Sequence, residues 1–243
     1  MLTISSTRLL VLAAGLAAAT FAFGARAATF TFGDTTNFWP GWGNGSGDDG
    51  VDTVGTPNLL GGRAITDGSG LLTRVEIDYT GVISLVPSGP AHVVPGDLFL
   101  DANADGTWDY VLKLVASPET AIGNYASATI LDVSSQVASY ITSGPDNSGY
   151  WSGYLIRDGH PYAWNGGGTA IDTGSLDPFN DQASGGTLGF NLGAGLNVGT
   201  SVRIGFAENC ANDVIYQTVA VPEPTTLALL GAGLVGLVRR RRA

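Results

Sequence analysis

The sequence predicts an all-β protein, an antiparallel β-sandwich or jelly roll built as a single domain. The first observation is a period-2 alternation of apolar and polar side chains, as in Leu71–Tyr79, where Val75, Ile77 and Tyr79 share one face. The second is the frequency of glycine, 36 of 243 residues, which with Asn, Asp and Pro separates the apolar runs. The sequence also lacks a clean internal repeat, which disfavours a solenoid. Short strands joined by tight turns are typical of sandwiches and jelly rolls.

Several segments carry the strand pattern. In chain order they are Thr29–Phe32, Leu71–Tyr79, Asp97–Leu100, Trp108–Leu114, Tyr150–Arg157, Thr187–Leu192, Ser201–Phe206 and Val214–Val219. Most of them alternate because one face of a half-buried strand meets the core and the other meets water. One segment has a different spacing. In Ile130–Ile141, the residues Val133, Val137 and Tyr140 recur about once per helical turn, so a helix is predicted there.

The composition restricts the partners that the protein can have. The chain has 21 acidic and 11 basic residues and a net charge of −10. The central region, residues 28–221, contains 20 of the acids but only five of the bases. Nucleic-acid binding needs clustered Lys and Arg, so we exclude that function. The single cysteine, Cys210, excludes an intrachain disulfide and a cysteine-cluster metal site.

The first 27 residues have the pattern of a secretory signal peptide. Arg8 supplies a positive charge, Leu9–Phe23 is an uncharged apolar run, and Ala25-Arg26-Ala27 has the small residues of a cleavage site. The apolar run is short for a permanent membrane span. We therefore expect a signal helix that uses the Sec export machinery, with cleavage between Ala27 and Ala28.

The last 22 residues, 222–243, combine three features. Pro222, Glu223 and Pro224 separate the tail from the preceding structure, Thr225–Val238 is uncharged, and four arginines follow, namely Arg239, Arg240, Arg241 and Arg242. As a helix the uncharged stretch would be about 21 Å long, against about 30 Å for the bilayer core. The arginines would remain on the cytoplasmic side. We expect a short transmembrane helix, so that the protein contacts a membrane only through its terminal segments.

This tail resembles the PEP-CTERM sorting signal of bacterial exported proteins. The resemblance implies an N-terminal signal peptide, recognition by an exosortase, and processing near Pro222–Pro224. It also implies a Gram-negative bacterium that makes exopolysaccharide and biofilm, and a location in the cell envelope, on the outer surface or in the extracellular matrix. The segments Gly96–Tyr110 and Glu208–Ile215 look like segments found in many proteins with this tail. A similar tail also occurs on some ice-binding proteins.

One loop has the spacing of a calcium site. Oxygen-bearing side chains stand at loop positions 1, 3, 5 and 9, which are Asp101, Asn103, Asp105 and Asp109, and Gly106 is at position 6. Thr107, at position 7, could offer its backbone carbonyl. Ca²⁺ prefers six to eight hard oxygen ligands, and a tight glycine turn lets alternate residues converge on it. Position 12 is Leu112, where an acid is expected, so a polar hairpin built from good turn residues is the alternative.

Aromatic residues in Gly-rich and Asn-rich surroundings are the second binding feature. Trp42, Trp151 and Trp164 could stack against sugar rings, because carbohydrates lie flat on aromatic faces. The alternative is that these large side chains fill the core of a glycine-rich fold, since Trp is usually buried. From sequence, both sugar stacking and core packing remain open for these tryptophans.

Catalytic patterns are weak. The two histidines, His92 and His160, lie far apart in sequence, and Cys210 has no histidine near it in sequence. The common serine-hydrolase and metalloprotease motifs are also missing. We therefore expect a non-enzymatic adhesion or scaffold module, associated with the surface or exopolysaccharide, with Ca²⁺ as a candidate stiffening ligand. The alternatives are a secreted carbohydrate-active enzyme or lectin-like domain, and an ice-binding protein.

Overall fold

The protein is described from a computed structural model, which covers residues 27–42, 50–53, 55–83, 93–114, 127–143, 157, 159–178 and 184–222. Twelve strands are found in these residues. They are β1 Ala28–Phe32, β2 Asn58–Thr66, β3 Leu72–Thr80, β4 Leu98–Asp101, β5 Tyr110–Lys113, β6 Ala128–Asp132, β7 Tyr140–Thr142, β8 Pro161–Trp164, β9 Thr169–Leu176, β10 Gly185–Leu196, β11 Ser201–Ala207 and β12 Val214–Ala220. The predicted signal helix and sorting helix lie outside the described residues.

Ten strands form one antiparallel sheet. Their order is β1-β2-β3-β10-β9-β6-β5-β4-β11-β12, and β7 pairs with β8 in a separate two-stranded sheet. Strand β9 joins the two halves of the large sheet. It pairs with β6 from Thr169 to Gly174 and with β10 at Ser175 and Leu176. The all-β, antiparallel prediction is confirmed.

The large sheet curls until its two edges lie close together. The edge strands β1 and β12 contact each other, and the segment after β1 follows β12. There the Trp39 indole N–H donates to the carbonyl of Ile215 at 3.0 Å, and the Thr36 hydroxyl donates to that of Tyr216 at 3.1 Å. The architecture is therefore a nearly closed barrel, where a sandwich or jelly roll of two sheets was predicted. Curling covers both edges of a sheet that a flat arrangement would leave open.

The predicted helix over Ile130–Ile141 is wrong. Strand β6 occupies the first residues and ends at Asp132, and β7 begins at Tyr140. Between them the Asp132 carboxylate accepts hydrogen bonds from the amide and hydroxyl of Ser134, which form a local turn instead of a helical ladder. Val137, placed on the apolar face of the predicted helix, is 90% exposed.

Both faces of β4 and of the middle of β5 are buried, because two clusters of apolar side chains lie on opposite sides of these strands. The barrel interior holds one cluster, which includes Leu100, Leu112 and Ile204. The second cluster, here called the aromatic cluster, lies outside the barrel wall and is covered by β7, β8 and the segment around Trp39. Its buried members are Trp39, Phe99, Trp108, Val111, Val133, Tyr162, Ala163, Trp164, Ala207, Ala211 and Val214.

Candidate functional site

The loop between β4 and β5 holds the five residues of the predicted calcium site. Asp101, which is 1% exposed, accepts hydrogen bonds from the amides of Asp105 at 3.0 Å and Gly106 at 2.8 Å. Its Oδ2 also accepts from Nη1 of Arg203 at 2.7 Å. Arg203, on β11, further donates to the carbonyl of Ala104. A guanidinium therefore supplies positive charge at the first position of the loop.

The remaining loop oxygens serve mainly the backbone of the loop itself. Asn103 Oδ1 accepts from the amide of Asp105 at 3.0 Å, and Asp105 Oδ1 accepts from the amide of Thr107 at 2.9 Å. Asp109 Oδ2 accepts from the amide of Ala102 at 2.7 Å. These are the local bonds by which Asp and Asn stabilise turns. The structure brings the five residues into one loop, and calcium binding there stays a prediction.

The three predicted stacking residues have different surroundings. Trp164 is 1% exposed, its Nε1 donates to the carbonyl of Gly167 at 2.8 Å, and its ring lies 6.5 Å from that of Phe99. With no free ring face, it belongs to the core. Trp42 is half-buried and packs edge-on against Tyr140 at 5.6 Å. Trp151 lies outside the described residues.

His160 has the contacts of a structural histidine. It is 0% exposed, its Nε2 accepts from the amide of Trp39 at 3.1 Å, and its Nδ1 donates to the carbonyl of Pro161 at 2.9 Å. Burial lowers the pKa of His160 to about 4, so the ring is neutral near pH 7. His92 lies outside the described residues. Burial also raises the pKa of the Cys210 thiol, which disfavours the nucleophilic thiolate.

A different group of carboxylates converges in space, and we call Asp34, Asp52 and Asp213 the acidic cluster. One carboxylate oxygen from each lies within 4.8 Å of the others. Asp34 follows β1, Asp52 lies in the loop before β2, and Asp213 immediately precedes β12. This cluster could not be predicted from sequence, because its members are spread over 180 residues and no local spacing relates them. The one sequence signal is the resemblance of the Glu208–Ile215 segment to other proteins with the same tail.

Burial and mutual repulsion dominate the electrostatics of the acidic cluster. Burial, followed by repulsion from Asp213 and Asp52, raises the pKa of Asp34 to about 8. Burial raises the pKa of Asp213 to about 6, although the amides of Leu59 and Val214 donate to its carboxylate. Such a site stabilises positive charge, because a bound cation removes the repulsion between carboxylates.

The strands at the two ends of the folded part lie beside the predicted processing points. Ala28 is the first residue of β1 and pairs with Thr66 on β2. At the other end β12 stops at Ala220, and Val221, which is 4% exposed, donates its amide to the carbonyl of Thr200 at 2.8 Å. Pro222 is the last described residue, and Glu223, Pro224 and the four arginines lie outside the described part.

Comparison with known proteins identifies the C-terminal region. A family model for the PEP-CTERM protein-sorting motif matches residues 220–242, which confirms the resemblance seen in Pro222–Pro224 and the arginine cluster. No curated protein and no solved structure matches the chain. Among the described residues there is no helix with the length and apolarity needed to cross a membrane. The chain carries a PEP-CTERM sorting motif, and this motif implies export to the cell envelope or surface with an exosortase as the processing enzyme.

Proposed function

We propose that the protein is a non-enzymatic scaffold or adhesion module, exported through a signal peptide over residues 1–27 and processed by an exosortase near Pro222–Pro224. The observation that carries the proposal is the PEP-CTERM motif over residues 220–242, which begins at the last residue of β12. Because β1 begins at Ala28 and β12 ends at Ala220, removing residues 1–27 or the chain after Pro222 would leave the strand pairings of the barrel intact.

The described residues support a structural module more than an enzyme. The aromatic cluster fills the space outside the barrel wall, and its Trp39 and Trp164 are 2% and 1% exposed. His160 and Cys210, the described histidine and cysteine, are each 0% exposed. No specific observation in the described part of the chain favours the carbohydrate-active or ice-binding alternatives.

The charge of the central region indicates how such a module would contact a matrix. With 20 acids and five bases in residues 28–221, it repels anionic polysaccharides at neutral pH. Association with an acidic exopolysaccharide would therefore depend on divalent cations that bridge the two surfaces. Association with a neutral polysaccharide would depend on hydrogen bonds and exposed ring faces, for which Trp42 is the half-buried candidate.

The sorting role is tested in the source bacterium by replacing Pro222, Glu223 and Pro224 with alanines while keeping the apolar stretch and the arginines. We expect the unaltered chain to be shortened at both ends and to reach the envelope or medium. The alanine variant should retain its tail and accumulate in the membrane fraction. Thr225→Ala is the matched control, because it leaves all three features of the signal in place. If the alanine variant were shortened and distributed between the fractions in the same way as Thr225→Ala, the proposal would be contradicted.

A further inference from the structure

The acidic cluster lies where the barrel closes. Asp34 extends from β1, Asp213 precedes β12, and these are the edge strands that contact each other. Asp213 already joins separate parts of the chain, because its Oδ2 accepts from the amide of Leu59 at 2.7 Å and from the hydroxyl of Thr53 at 3.1 Å. Asp52 is exposed and gives the cluster access to solvent. Three chain segments therefore present carboxylates to one point at the seam.

A fourth carboxylate stands unpaired beside the cluster. Glu208 is 0% exposed, and neither of its oxygens has a hydrogen-bond partner on another residue within the described part of the chain. Asp213 and then Asp34 are the acids whose charges act on it most strongly. The Oδ2 of Asp34 and the Oδ1 of Asn212 are also buried without a hydrogen-bond partner among the residues that the structure describes. Burying an oxygen without a hydrogen-bond donor costs free energy, and a bound cation would remove that cost.

Arg157, the nearby arginine, does not pair with these buried oxygens. Arg157 is 2% exposed, and its Nη2 donates to the carbonyls of Val51 and Asp52 at 3.0 Å. Its Nε and Nη1 make no hydrogen bond in the described part of the chain, so the guanidinium is not paired with a carboxylate. Three acids of the cluster and Glu208 thus face one positive charge, which leaves a large excess of acceptors over donors.

We propose that Asp34, Asp52 and Asp213 bind one Ca²⁺ ion, with the buried carboxyl group of Glu208, which has no hydrogen-bond partner among the described residues, beside them. Ca²⁺ fits this chemistry because it takes six to eight oxygen ligands in flexible geometry from carboxylates, carbonyls and water. Mg²⁺ demands a near-ideal octahedron and retains its waters, so ligands mounted on three separate loops suit it less well. The bound ion ties the segment after β1 to the start of β12 and stabilises the closed form of the barrel.

The test uses the full-length chain in mild detergent, freed of metal with a chelator and then titrated with CaCl₂. Equilibrium dialysis with radioactive calcium should give one ion per chain, with a Kd in or below the ~10⁻⁴–10⁻³ M range of extracellular modules. Asp52→Asn is the main variant, because this exposed carboxylate can lose its charge without leaving a hole. It should weaken calcium binding about tenfold or more, and Asp34→Asn should act in the same direction.

Asp105→Asn tests the loop between β4 and β5 separately. Asp67→Asn is the matched control, since it removes a carboxylate from the turn between β2 and β3, outside both candidate calcium sites. It should leave the Kd unchanged within about twofold. Thermal unfolding adds a readout that a merely structural carboxylate would not give. Without calcium Asp52→Asn should have a Tm equal to or above that of the unaltered chain, because one repulsive charge is gone. With saturating calcium the Tm of Asp52→Asn should be lower than that of the unaltered chain, because the variant binds the ion more weakly.

Several results would overturn the proposal. One is the absence of binding to the unaltered chain up to about 10 mM Ca²⁺, well above the range of extracellular sites. Another is wild-type affinity in both Asp52→Asn and Asp34→Asn, checked for folding by circular dichroism. Loss of binding in Asp105→Asn alone would place the ion in the loop between β4 and β5. Mg²⁺ binding as tightly as Ca²⁺ would overturn the assignment to calcium.

Discussion

The Nη1 of Arg203 lies 2.7 Å from Oδ2 of Asp101, a carboxylate that is 1% exposed at the end of β4. The same guanidinium stands 5.2 Å from the ring centre of Tyr216 on β12. The Arg203 side chain on β11 thus links the strands on either side of it, through an ion pair with β4 and a cation–π contact with β12. It also holds the polar loop after β4 through the carbonyl of Ala104.

Replacing Arg203 with Met should destabilise the protein by about 2–4 kcal/mol, because a nearly inaccessible carboxylate loses its positive partner. The side chain of Met keeps the apolar stem, so most packing is retained. Arg63→Met is the matched control. Arg63 is 33% exposed and pairs with Glu76 and Asp78, so its loss should cost about 1 kcal/mol or less. Urea unfolding of both variants measures the difference, and equal costs would contradict this account.

His160 should make stability depend on pH. Its pKa is about 4 in the folded protein and about 6.5 when exposed, so the folded state binds fewer protons between these values. The stability from the neutral ring is fully present above about pH 6.5 and is lost as pH falls toward 4. His160→Gln cannot titrate there. The stability of the native chain minus that of the variant should therefore rise between pH 4 and pH 6.5, by about 3 kcal/mol in total. A difference that stays constant over this range would refute the prediction.

Gly205→Ala should disturb the aromatic cluster. A Cβ at this position on β11 would lie 2.6 Å from the ring of Trp108 and 3.0 Å from that of Trp39. Both rings are packed among other aromatic groups, so the added methyl group should cost about 1–3 kcal/mol. The near-ultraviolet circular dichroism of the tryptophans should change as well. Gly33→Ala is the control, because a Cβ there would have nothing within 4 Å. Unfolding curves that coincide for the two variants would show that the rings can move aside.

Asp97→Asn should loosen the β7–β8 sheet from the barrel. One carboxylate oxygen of Asp97 accepts from the amide of Leu114 and the other from that of Trp164, each at 2.8 Å. An amide group can accept only one of these bonds, and its NH₂ would face the other donor. We expect a loss of about 1–3 kcal/mol and faster hydrogen exchange at Trp164 or Leu114.

Asp67→Asn is the control for Asp97→Asn. Asp67 Oδ1 accepts from the amide and hydroxyl of Ser69 and from the amide of Leu71, and an amide oxygen can keep these bonds. The exchange rates of Leu114 and Trp164 should therefore be unchanged in this variant. If Asp67→Asn accelerated them as much as Asp97→Asn, the carboxylate of Asp97 would not be the connection between the two sheets.

The strands that could be predicted are those in which local alternation matches burial. Leu71–Tyr79 corresponds to β3, Val214–Val219 to β12 and Ser201–Phe206 to β11. Strand β2 was missed because Gly61 and Gly62 interrupt its apolar pattern. The reason for those glycines is tertiary, since a Cβ on Gly62 would lie 1.8 Å from the carbonyl of Glu76 on the next strand. Strand β9 was missed because much of it is exposed, so it carries little apolar signal.

The sequence alone determined the all-β class, the acidic character and the sorting tail, because each of these depends on composition or on patterns among neighbouring residues. The tertiary structure decided how the sheet closes and which acids meet. Asp34, Asp52 and Asp213 converge only because the segment after β1 and the start of β12 meet at the seam of the barrel. Local patterns report burial and turn chemistry over a few residues, whereas contacts between distant segments depend on how the whole sheet curls.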